Sequence, residues 1–229
     1  NDLLRVARAS ILRTRGRAVL TMLGIIIGIA SVIMMLSIGQ AAEQFLLSQV
    51  AAFGSDLVFV GNGKGDQRDN GPPSNSVKQS LTFEDYKKLK SENWVRMIDA
   101  TVIRRDLVSG ENRNKITNIS AVGPGNLTVF NAKVAIGRFI GEEDVQSRTK
   151  VVVMGASIAK DFFGQGNPID QRVTINKQSF RVIGVMEPGG TRFFNNVDDQ
   201  VYIPVSTGMQ LYNQERINFI SLKPNGIRV

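Results

Sequence analysis

Residues 18–42 read AVLTMLGIIIGIASVIMMLSIGQAA, a run of 25 residues without one charged side chain. A helix of that length spans roughly 37 Å, against about 30 Å of bilayer hydrocarbon. In lipid each unpaired backbone N–H or C=O costs several kcal/mol, so the run is predicted to be a transmembrane helix. Arg5, Arg8, Arg13, Arg15 and Arg17 precede it with Asp2 as their only acid, and Glu43 is the first charge after it. That arginine excess directs its own side to the cytoplasm, so residues 43–229 are expected outside. A cleaved signal peptide is the rival reading, because Gly39 and Ala41 form a small-x-small pair. The apolar run is longer than the roughly 7 to 15 residues of such peptides, which favours the anchor.

The chain has 229 residues, a net charge of +8, no cysteine and no histidine. Residues 1–17 hold five arginines against one acid, half of the whole excess. Basic residues beside an apolar span point to a lipid bilayer and not to nucleic acid. Without cysteine neither a disulfide nor a thiolate metal site is available, and without histidine the commonest general base and zinc ligand are gone. No catalytic, cofactor-binding or metal-binding residue is assigned. Leu3, Leu4, Ala7, Ile11 and Leu12 share one helical face amid Arg5, Arg8 and Arg13, which fits an amphipathic helix on the cytoplasmic leaflet. An ordinary flank whose arginines only set topology fits the same residues. Gly24 and Gly28 form a G-x-x-x-G pair followed by Ser31, and small residues at this spacing let membrane helices approach closely.

Beyond the span, Ala42 to Phe53 keeps helical spacing up to Gly54, so Ala18 to Phe53 is predicted to be one helix projecting as a stalk. Asp56 to Val60 then reads as a strand, and Gly61 to Ser76 as a loop whose Lys64 has no phosphate-cradle context. Thr82 and Asp85 form a capping box that starts the helix to Lys90. Arg96 to Val108 and Lys115 to Val122 read as a hairpin, Lys150 to Met154 as a strand, and Ser157 to Phe163 as a helix stopped by Gly164. Arg172 to Ile175 and Gln178 to Met186 flank an Asn176-Lys177 turn, with further strands at Gln200 to Ile203 and Asn218 to Leu222. Glu142, Glu143 and Asp144 read as a helix start, Asp198 and Asp199 as turn residues. Trp94 and the phenylalanines read as core or subunit contacts. Asn118 and Asn126 head glycosylation-type triplets. The fold class is α+β.

These residues resemble the permease subunits of MacB-type ABC transporters, within the broader family of FtsX and the lipoprotein-releasing permeases. The resemblance rests on the arginine flank, the membrane stretch Leu20 to Val32, Gly137-Arg138-Phe139, Val151 to Gly155, Phe162-Phe163-Gly164, Asn167-Pro168-Ile169, Phe180 to Val185 and Tyr202-Ile203-Pro204. Asp170 stands where the family usually has glycine, and Asp tolerates a left-handed backbone. The resemblance implies residues 1–17 on the cytoplasmic face, 18–42 across the bacterial inner membrane, and a periplasmic domain over 43–229. That domain would combine a porter-like α/β part with a β-rich insert at roughly 124–200. It implies ATP and Mg on a partner ATPase or separate domain, a homodimer or paralogous permease, and a membrane-fusion adaptor. The expected role is transmission of ATP-driven motion for export. The alternatives are an FtsX-like subunit activating cell-wall hydrolases and a membrane-tethered hydrolase. The chain is expected to be part of a longer permease, with Asn218 to Leu222 opening a second porter unit whose sheet is left open.

Overall fold

The structure, a computed structural model, describes residues 15–53, 56–62, 81–111, 113–192 and 195–225. Arg5, Arg8, Arg13, Gly54 and most of the Gly61 to Ser76 loop lie outside them. The chain divides into two compact units, residues 1–50 and 51–229. In the first, helix α1 runs unbroken over Arg15–Phe53, 39 residues. Its segment Val19–Leu47 is long and apolar enough to cross a membrane. The helix therefore continues past the predicted span, as the spacing of Phe45 and Leu46 requires.

The second unit opens with β1 (Val58–Gly61), α2 (Phe83–Lys90) and β2 (Val95–Ser109). The capping box starts α2 as predicted: Thr82 Oγ1 accepts from the Asp85 amide at 3.3 Å, and the Thr82 amide donates to Asp85 Oδ2 at 2.9 Å. The last strand, β11 (Phe219–Pro224), lies between β1 and β2 and is antiparallel to both, with Leu222 opposite Val58 and Ile98. This is a split strand-helix-strand unit filled by a later strand. The expectation of a sheet left open at Asn218 to Leu222 is corrected: β11 is paired on both sides, because its apolar Ile220 and Leu222 need a covered central position. Among the described residues the free edges of the nine-stranded sheet belong to β1 and to β4 (Val134–Gly137).

At Thr101 strand β2 leaves β11 and continues with β3 (Asn114–Val122), Val102 facing Ala121. Asn218 covers the changeover. Its amide donates to the Thr101 carbonyl at 2.9 Å, and its side-chain oxygen accepts from the Ile103 amide at 3.0 Å. From β3 the pairing runs to β10 (Gln200–Pro204, parallel), β5 (Val151–Met154, antiparallel), β7 (Gln178–Met186, parallel) and β6 (Arg172–Ile175, antiparallel). Strand β6 returns to β2 at Val108 and Ser109, so six strands close on themselves. Closure removes the edges that would otherwise present unpaired backbone.

Strand β5 explains why Val151 to Met154 is apolar without alternation. Val152 and Met154 enter the core that holds Ile119, Phe180 and Ile203, while Val151 and Val153 enter a second core with Phe139, Ile183 and Tyr202. Burial of each such side chain contributes about 1.5–3 kcal/mol. The turn Asn176-Lys177 has φ of 45° and 62°, and Asp170 has φ of 66°, as its place in the sequence demands. Helix α5 (Ala156–Phe163) ends at Gly164 with φ of 60°. Five elements were not read from the sequence: α3 (Asn126–Val129), β4, the short paired strands β8 (Thr191–Arg192) and β9 (Asn195–Asn196), and α6 (Val205–Leu211) directly after Pro204. Trp94 is 48% exposed and is not a core residue. Asn126, head of one glycosylation-type triplet, is buried.

Two buried carboxyls hold the connections. Asp99 on β2 is 0% exposed; it accepts from the Gly123 amide at 2.8 Å and from Asn126 Nδ2 at 2.9 Å. This fastens the turn after β3 onto β2 so closely that a Cβ on Gly125 would lie 2.2 Å from the Ile98 carbonyl. Burial pushes the Asp99 carboxyl well above the usual range, against the pull of its hydrogen bonds. Asp144 on α4 (Glu142–Gln146) is gripped by both Arg138 guanidinium nitrogens and also accepts from the Gly141 amide and Thr149 Oγ1. The Arg138 guanidinium holds its carboxyl down, at about 2.

Opposite pH behaviour follows from the two acids. Asp144 is lowered, so its contribution is complete above about pH 4, the unfolded value, and is lost as pH falls toward 2. Asp144→Asn should cost about 1–2 kcal/mol, the exposed Arg138 limiting the loss, and should flatten stability between those pH values in urea unfolding of the detergent-solubilised chain. Asp99 is raised, so its contribution is complete below about pH 4 and is lost as pH rises through its folded value. Asp99→Asn should therefore stand closer to, or above, the unsubstituted chain at pH 8 than at pH 4. A constant difference between the two pH values would contradict a buried neutral acid.

Candidate functional site

The predicted packing residues of α1 lie together. At 100° per residue Gly24, Gly28 and Ser31 fall within about 60° of one another, and Arg17 lies in line with them toward the N-terminus. A Cβ added at Gly24 or Gly28 would meet nothing within 4 Å, so both glycines leave an open strip on the helix. The hydroxyls near the strip are satisfied inside the helix, Ser31 donating to the Ile27 carbonyl and Thr21 to the Arg17 carbonyl at 2.8 Å. Of the five arginines Arg17 is described and exposed, and Arg15 is the first residue of α1.

The second unit carries a groove that no local pattern announces. Helices α2, α4 and α6 and the Gly123-Pro124 turn border a groove of about 640 Å³. Phe83, Tyr86, Val145, Val205 and Met209 make its apolar floor. Phe83 and Tyr86 are stacked at 5.2 Å, and Lys87 and Lys90 lie over their faces at 5.6 and 5.9 Å. Burial, with Asp99 and Glu142 adding, pushes the Tyr86 phenol up, so it stays a neutral hydroxyl. Lys90 Nζ reaches Glu142 Oε1 across the groove, from α2 to α4. Beyond that ion pair a second hollow of about 300 Å³ continues past Val95, Met97 and Gly125. Helix α6 is tied to α4 and the segment after it by Ser206 Oγ to the Val145 carbonyl and Thr207 Oγ1 to the Thr149 carbonyl.

At the lip stands Arg148. It follows Ser147, the C-cap of α4, with φ of 51°, while the Thr149 amide bonds back to the Asp144 carbonyl at 3.0 Å. Glycine or asparagine is usual in that position, and for another residue the left-handed conformation costs roughly 1–2 kcal/mol. Among the described residues no group of three acidic, histidine or cysteine side chains could hold a metal ion.

Comparison with known proteins gives this architecture a family. The profile of the MacB-like periplasmic core domain matches residues 18–226, which takes in the apolar stretch of α1 and nearly all of the second unit. The macrolide export ATP-binding/permease protein MacB of Bdellovibrio bacteriovorus is 31% identical over 210 residues, 90% of this chain and 32% of that protein. Its counterpart in Chlorobium luteolum is 32% identical over 203 residues, 87% of this chain and 30% of that one. The chain thus spans about a third of the length of the curated relatives it matches. The crystal structure of the periplasmic region of MacB from Actinobacillus actinomycetemcomitans superposes with a TM-score of 0.66 at 26% identity, covering 77% of this chain and 78% of that one. The extracellular domain of the Gram-positive transporter YknZ shares the fold, with a TM-score of 0.60 at 17% identity. An apolar helix and this closed, split sheet are what the match spans, and the chain belongs to the MacB-like periplasmic core domain family.

Proposed function

We propose that the chain is the membrane-anchored part of the permease of a MacB-like ABC exporter, transmitting ATP-driven motion from the membrane to its periplasmic domain. The observation that carries this is the unbroken α1 in front of a domain of this family. Its 39 residues rise about 58 Å, some 28 Å more than the hydrocarbon needs, and a continuous helix carries displacement without a hinge. Residues 1–17, with Arg5, Arg8, Arg13, Arg15 and Arg17, lie at the cytoplasmic leaflet, residues 18–42 cross, and residues 43–229 face the periplasm. The periplasmic part comprises a porter-like region and a β-rich insert at roughly 124–200. ATP and Mg are bound by a partner ATPase or a separate domain. The permease acts as a dimer, through Gly24, Gly28 and Ser31, with a membrane-fusion adaptor outside. The relatives reported above carry an export name, which supports export over the signalling alternative.

Topology is the first test. In intact spheroplasts a tag inserted after residue 225 should be cleaved by added protease and a tag before residue 4 should be protected; the reverse pattern would end the proposal. Association is the second. Gly28→Leu should weaken energy transfer between labelled chains in vesicles by about tenfold, the effect of losing roughly 1–2 kcal/mol of helix contact. Unchanged transfer would remove Gly24, Gly28 and Ser31 from the interface.

A further inference from the structure

The groove on the second unit has an apolar floor, a cationic lip and a volume of about 640 Å³, within the range of small-molecule sites. Its charges are unequally engaged. Lys87 pairs with Glu84 at 2.7 Å, and Lys90 pairs with Glu142. Asp144, the acid nearest to Arg148 in sequence, is already held by Arg138, Gly141 and Thr149. Among the described residues Arg148 has no ion-pair partner, although the chain holds it in a left-handed conformation that glycine would adopt without cost. A strained backbone that brings an unpaired arginine to the lining of an apolar groove is a feature that ligand binding explains.

Glu142 and Glu215 also line the groove, so a ligand with several negative charges would meet repulsion. A single compact anionic head on an apolar body avoids it. The Phe83–Tyr86 stack and Met209 offer flat and adaptable surface to that body. We propose that the groove binds an amphipathic organic monoanion, its carboxylate or sulfonate on Arg148 and its apolar part against Phe83, Tyr86 and Met209. This rests on the groove alone and stands or falls separately from the export reading.

The test uses the full chain in nanodiscs of zwitterionic lipid and anilinonaphthalene sulfonate as the anionic probe. Energy transfer from Trp94, the chain's one tryptophan, separates probe on the protein from probe in lipid. Saturable one-site binding is the expected result. A cationic naphthyl ammonium probe of similar size should bind at least tenfold more weakly. Arg148→Gly should weaken anion binding at least tenfold without lowering the melting temperature, since glycine suits the positive φ. Gln210→Glu, an exposed and nearly isosteric change on the lining, should weaken it by repulsion alone. Equal affinity for the two probes, absence of saturable transfer, or an Arg148→Gly chain that binds as before would overturn the proposal.

Discussion

The change of partner along β2 is the constraint on which the second unit depends. One uninterrupted strand pairs with β11 up to Thr101 and with β3 from Val102, so it belongs to both sheets at once. Such a changeover leaves backbone groups without a neighbour unless something replaces it, and a buried unpaired group costs as much as a lost hydrogen bond. Asn218 supplies the replacement from its own backbone and side chain, and Asn62 Nδ2 in turn holds the Asn218 carbonyl at 2.9 Å. With the junction satisfied, β2 can carry the helix-covered layer on one half and the closed strands on the other without a break.

The two acids translate that frame into the shape of the groove. Asp99 fixes the Gly123-Pro124-Gly125 turn, which is part of the wall, and Asp144 fixes α4, which carries Glu142 toward Lys90. Their environments differ in kind. Asp99 is enclosed with neutral donors, so burial dominates; Asp144 keeps a guanidinium in two-point contact, so the charge partner dominates. The groove is thus bounded by elements held to the core through polar contacts, while its floor is apolar.

The fold was legible wherever a rule of short range decides. Thr82 with Asp85, Gly164, Asn176-Lys177 and Asp170 each act over one turn, and each does what its neighbours imply. Helix α6 was not legible, because Val205 to Leu211 is short, holds Gly208 and two hydroxyl residues, and is stabilised by what it lies against: a Cβ on Gly208 would sit 2.2 Å from the Ala121 side chain. Closure of the strands was hidden for a related reason, since β6 meets β2 through two residues. That Gly24 and Gly28 share one face of α1 follows from their spacing alone, whereas the groove draws on four separate segments and its Lys90–Glu142 contact spans 52 positions. Of the two readings of Trp94, core or subunit contact, its exposure removes the first, because aromatic size alone does not secure burial.

The central place of β11 also orders events in time. Strands β1 and β2 run parallel with a vacant lane between them until residues 219–224 arrive, and the contact that locks the lane, Asn62 to Asn218, joins positions 156 apart. Each doubling of loop length adds only about 0.6 kcal/mol of closure cost, so the final state loses little by this arrangement. Speed is another matter, because nonlocal pairing is slow. As the chain is made, the first strand-helix-strand unit waits through the whole synthesis of the closed strands before it is completed. Completion of the first unit is therefore tied to everything between β2 and β11.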